Sequence, residues 1–225
     1  MVSVEINELA KKDSCNFKFR PWVGRQYENG GILGKRVLVL GASHYCGDFG
    51  SGDCTRCGSD KGPLGRCWYF TEDVINEMLY RYDTNEKWMQ TFLCFERAVM
   101  GKELGQAERE AFWQSIAFYN FLQNATSGPR RTVQTDCYAL SGAAFEEVLH
   151  ILIPDRIILW GKSLYRMIPD LNGHHSYFEI PGGKVDVWNY PIVDKVVPAL
   201  TVVHPSTAEG KRWEYWHKFY VSFLD

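Results

Sequence analysis

Residues 35–45 read KRVLVLGASHY. Four consecutive apolar residues, Val37, Leu38, Val39 and Leu40, stand between a basic pair and Gly41. A strand with one wet face alternates apolar and polar residues. An unbroken apolar run predicts a strand covered on both faces, of the kind found in parallel sheets. Two more runs have this form: RIILW at 156–160, ending at Gly161, and ALTVV at 199–203, ending at His204-Pro205-Ser206. IAFYNFL at 116–122 reads as another buried strand, and 185–188 as a weaker one. Helical patterns lie between them. Val74, Ile75, Met78 and Leu79 have helical spacing, with Thr71 as the expected N-cap. Further helices are predicted over 87–100, from 108, over 141–153 up to Pro154, from 162, and over 212–223. This alternation predicts an open, mostly parallel α/β sheet with helices on both faces, in one domain spanning 1–225. A long Gly-, Asp- and Cys-rich loop is expected over 46–67.

Open α/β sheets bind ligands at the carboxyl ends of their strands. The polar residues expected there are Ser43, His44, Asn120, Lys162, His204 and Ser206, converging on one rim. Composition narrows what such a rim could hold. The 225 residues carry 25 Lys and Arg against 27 Asp and Glu, a net charge of −2, which argues against coating nucleic acid by bulk charge. A local basic groove is compatible with it. Aromatic content is high, with 8 Trp, 12 Tyr and 13 Phe, enough for a packed core and for a site that grips flat ligands. No apolar run is long enough to span a membrane, and the first residues lack a signal-peptide pattern. A cytoplasmic protein is therefore expected.

Four signatures occur in order: GASHY (41–45), FYNFLQN (118–124), ILWGKSLYRM (158–167) and VVHPST (202–207). Together they resemble the uracil-DNA glycosylase superfamily over roughly residues 36 to 210, and the lead-in FRPWVGRQYENGG looks most like a little-characterised bacterial branch of it. The resemblance implies that fold, and a base flipped from DNA into a tight pocket for cleavage of its bond to the sugar. It implies that His204 hydrogen-bonds the base oxygen as charge builds there, that Ser206 holds a phosphate, and that Asn120 reads the base edge. Tyr45, following Gly41, matches a tyrosine that shields against the thymine methyl. Trp68 matches an aromatic that stacks on the base, with Tyr69 and Phe70 as competitors.

The chain departs from the family in two places. The first motif usually carries an acidic or amide residue to orient water, and here Ala42 and Ser43 stand there. Ser43 can hold a water but cannot act as a strong base; His44 and Asp48 are the candidates to stand in. The bulky wedge expected after the HPS motif is replaced by Thr207-Ala208-Glu209-Gly210, with Lys211-Arg212 following. The expected function is nucleobase recognition, with N-glycosidic cleavage in DNA as the implied reaction. A binding module without turnover and a hydrolase of small nucleosides are the alternatives. Asn120 also reads as a simple turn cap, Trp68 as core, and Trp213, Trp216, Phe219 and Tyr220 as a packed helix face. His174-His175 reads as a solvated pair on a Gly-flanked loop.

Four of the seven cysteines cluster as Cys46, Cys54, Cys57 and Cys67. Cys54-x2-Cys57 is a metal half-site, and four thiolates could close a tetrahedral structural zinc; an iron–sulfur cluster and free thiols are the other readings. On the zinc reading, elemental analysis of the purified chain gives about one zinc per molecule, and Cys54→Ser with Cys57→Ser abolishes it. Metal-free protein of unchanged stability contradicts it.

Overall fold

The computed structural model describes residues 15–45, 68–81, 86–126 and 136–225. The cysteine cluster and Asp48 lie outside the described residues. Strand β1 (Trp22–Val23) is followed by β2 (Val37–Gly41), then by helices α1 (Phe70–Tyr80), α2 (Met89–Met100) and α3 (Gln106–Trp113). Next come β3 (Ile116–Asn120), α4 (Asp136–Leu152), β4 (Arg156–Trp160) and the short α5 (Lys162–Tyr165). The chain closes with β5 (His174–Ile180), β6 (Gly183–Ile192), β7 (Lys195–Val202) and α6 (Trp213–Leu224).

The seven strands form one sheet in the order β1-β3-β2-β4-β7-β6-β5. The four central strands β3, β2, β4 and β7 run parallel, while β1, β6 and β5 are antiparallel to their neighbours. The expectation of a mostly parallel sheet therefore holds for its centre and not for its edges. The unbroken run at 37–40 has a direct cause. Val37 and Val39 face a cluster built with α1, α2, α3 and α6, while Leu38 and Leu40 face a second cluster built with α4 and α5. All four are fully buried, which contributes roughly 1.5–3 kcal/mol for each side chain. Trp216, Phe219 and Tyr220 of α6 are core, as their spacing indicated.

Three local expectations are corrected. Thr71 is not an N-cap: it lies inside α1, fully buried, with its hydroxyl bonded to His44. His174 and His175 are not in a loop: they open β5, the outer edge strand, where His175 Nε2 lies 3.1 Å from Asp186 Oδ1. Helix α4 begins five residues before the predicted 141, at Asp136. Among the described residues no helix is long and apolar enough to cross a membrane.

At the amino-terminal end of the sheet, Asp155 ties β2 to β4 and β7. Its carboxylate accepts from the Arg36 backbone N–H (2.9 Å), from Arg36 Nη2 (3.1 Å) and from Lys195 Nζ (2.5 Å). Partial burial pushes this carboxyl up, but the hydrogen bonds and the Arg36 charge outweigh burial and hold it well below the ordinary carboxylate range. Its stabilisation is therefore present above about pH 4 and is lost as pH falls further. Asp155→Asn is expected to cost about 1 kcal/mol at neutral pH, after allowance for solvent screening, and to flatten the acid limb of a chemical-denaturation series.

Candidate functional site

The chain leaves β2 in one direction, through α1, α2 and α3 to β3. It then returns through α4, on the opposite face, to β4 on the other side of β2. Adjacent strands whose connections diverge are the place for a ligand crevice outside their carboxyl ends, and here that place is above β2 and β4. Gly41 ends β2 and Gly161 follows β4, so neither strand end carries a side chain of its own there. Gly161 has φ +106°, a conformation strained for any residue with a Cβ.

The segment GASHY is fixed by main-chain bonds to the chain beyond β3. The carbonyls of Gly41, Ala42 and His44 accept from Phe121 N–H (2.9 Å), Leu122 N–H (2.9 Å) and Thr126 N–H (2.8 Å). Tyr45 forms an isolated parallel bridge with Thr126, and its ring is half-exposed. Ser43 is half-buried. Gly41 pairs in register with Asn120 at the end of β3. A Cβ at Gly41 would collide with Asn120 Oδ1, so the glycine makes the room the asparagine amide occupies. Asn120 is almost fully buried.

His44 is buried, not open on the rim. Its ring packs edge-on to Phe19 at 4.8 Å and against Phe70 at 4.4 Å. Its Nε2 is hydrogen-bonded to Thr71 Oγ1 at 2.9 Å, and Asn120 Nδ2 lies 3.2 Å from each ring nitrogen. Of these three, Phe70 was legible only as a competitor of Trp68 for stacking and Thr71 only as a helix cap, while Phe19 carried no signal of its own. Beside them Arg20 pairs with Glu72 at 3.1 Å. Burial pushes the Glu72 carboxyl up against the opposing charge of Arg20. Trp68 is half-buried and stacked on Phe17 at 5.4 Å, against the α4-side cluster.

His204 follows β7 and is half-buried, edge-on to Trp160 at 6.0 Å. The Ser206 backbone N–H donates to His204 Nδ1 (3.3 Å), and Ser206 Oγ lies 2.8 Å from the same nitrogen. A backbone N–H can only donate, so Nδ1 accepts and the neutral ring carries its proton on Nε2. Burial lowers the pKa of His204, which favours that neutral form. The His204 carbonyl accepts from Thr207 Oγ1 (2.8 Å) and Thr207 N–H (3.0 Å), closing the turn. The Ser206 hydroxyl is exposed but engaged with His204 rather than free.

The rim thus brings together Gly41, Ser43 and Asn120 from the β2–β3 side, and Gly161 and His204 from the β4–β7 side. Arranged this way, the site offers an amide and a neutral Nε2–H donor to a polar ligand. Among the described residues no group of three or more His, Cys, Asp or Glu could hold a metal ion. No protein-family model matches the chain, and no curated protein matches it.

The His204 ring is expected to stay neutral to below the ordinary histidine range. Long-range ¹⁵N–¹H NMR then shows the Nε2–H tautomer at pH 7, with protonation only at lower pH. Ser206→Ala, which removes one of the two contacts to Nδ1, shifts the Nδ1 resonance.

Proposed function

We propose that the crevice binds a nucleobase in the manner of the uracil-DNA glycosylase superfamily, and that the chain cleaves the bond between that base and its sugar. One observation carries this reading: the four sequence signatures, spread over 160-odd residues of chain, meet at the carboxyl ends of four adjacent parallel strands. The tautomer of His204 supports it chemically. As the C1′–N bond breaks, its electron pair passes to the base. An Nε2–H donor at the base oxygen stabilises the anion that forms without itself giving up a proton. Water adds to C1′, and its proton is taken up by the departing base. Ser43, two residues beyond β2, would hold that water, and Asn120 and Tyr45 would recognise the base. The substrate would be DNA or a nucleoside.

A second reading is binding without turnover. It is favoured by the first motif, where Ala42 and Ser43 leave no carboxylate to support the positive charge that develops on the sugar.

Purified protein is incubated with single- and double-stranded oligonucleotides, and with mononucleosides, carrying uracil, hypoxanthine or xanthine. Release of free base is expected, and His204→Ala is expected to slow it by about 10²–10³-fold. Base binding with no release by the wild-type chain selects the binding module. Neither binding nor release contradicts both readings.

A further inference from the structure

We propose that His44 is a positioning residue: held by Thr71, Phe19 and Phe70, it fixes the side-chain amide of Asn120 so that its oxygen, not its nitrogen, is turned toward the crevice. The consequence for ligand choice rests on the nucleobase reading above; the positioning itself does not.

The geometry separates the two ends of the amide. Asn120 Nδ2 lies at 3.2 Å from both His44 Nδ1 and His44 Nε2. The ring nitrogens are about 2.2 Å apart, with Cε1 bonded to both, so an equidistant atom this close cannot lie in the ring plane without striking ring carbon. It lies over the imidazole face, where an N–H is attracted by the π-electrons and a carbonyl oxygen would be repelled. The opposite end, Oδ1, fills the space above Gly41, on the side of β2 and its neighbour β4. Rotating the amide by half a turn would exchange these contacts, setting oxygen against the ring face.

The ring that makes this choice is itself immobilised. It is buried, bonded through Nε2 to a fully buried Thr71, and packed against Phe19 and Phe70. Its carbonyl is tied to Thr126. A catalytic role in contact with substrate does not suit a side chain so placed. A positioning role uses every one of these contacts, and also explains the departure at 71 from a helix cap: the hydroxyl serves the imidazole instead of the helix end. A ligand entering the crevice meets an acceptor at Asn120 and so must present an N–H there.

Two measurements on the full chain test this. In ¹⁵N-labelled protein the Asn120 side-chain NH₂ pair, assigned by its loss in Asn120→Ala, is expected upfield and slow to exchange. Thr71→Val, which keeps shape and touches neither Asn120 nor ligand, is expected to move the pair and speed its exchange; His44→Gln and Gly41→Ala do so more strongly. If the pair is unmoved in a folded Thr71→Val protein and in His44→Gln, the positioning role is overturned. The second measurement is titration with 1-methyluracil, whose one N–H is at N3, and with 1,3-dimethyluracil, which has none. Wild type is expected to prefer 1-methyluracil by about tenfold, the equivalent of one neutral hydrogen bond, and Thr71→Val to lose most of that preference. Equal preference in both proteins overturns the ligand consequence. Binding of neither base by wild type contradicts the functional reading, while the amide resonances still decide the positioning of Asn120.

Discussion

Gly41 and Asn120 are neighbours in the register of two parallel strands, and the missing side chain of one is the seat of the other. That single steric fact organises the carboxyl end of the sheet. Because Gly41 has no Cβ, the Asn120 amide can lie across the end of β2 instead of standing away from it. Because the amide lies there, its nitrogen reaches His44, and His44 in turn is closed in by the lead-in segment and by the first turn of α1. The segment from Gly41 to Tyr45 could not take this path without its carbonyls being satisfied, and Phe121, Leu122 and Thr126 supply the donors. Strand register, loop path and side-chain orientation are one linked arrangement.

Across the crevice the logic is electrostatic rather than steric. Ser206 supplies donors to Nδ1 of His204, and partial burial opposes a charge on the ring. The outcome favours a neutral ring with its proton on Nε2. A neutral donor suits a step in which negative charge builds on a ligand oxygen, since it stabilises the product state without first stabilising a proton elsewhere. The two sides of the crevice therefore differ in kind: one offers a buried amide held by packing, the other a donor held by its own turn. On the proposed reading these are the recognition side and the chemical side of one base pocket.

The centre of the fold was legible because its physics is local. Doubly covered strands must be apolar throughout, and 37–40 and 157–160 say so plainly; the glycines that end them mark where the chain turns away from the sheet. The edge was not legible. Strand β5 carries His175, Tyr177 and Glu179 on one exposed face, and such a strand has the composition of a loop. The site divides the same way. His204 and Asn120 could be picked out because each stands directly after or at the end of an apolar run. The surroundings of His44 could not, since Phe19 and the adjacent pair Phe70-Thr71 lie tens of residues away on either side of it, and only the folded chain brings them to one ring. The same gap explains why His44 looked like a rim residue: position in sequence places it after a strand, but burial depends on what packs over it.

The central claim is that a base lies between Asn120 and His204, and a crystal structure of the chain soaked with uracil tests it most directly. The account expects the ring in the crevice above Gly41 and Gly161, with Asn120 Oδ1 and His204 Nε2 each within hydrogen-bonding distance of the base. Uracil bound elsewhere, or a crevice whose Asn120 and His204 both turn to protein partners with the ligand in solution, would contradict it.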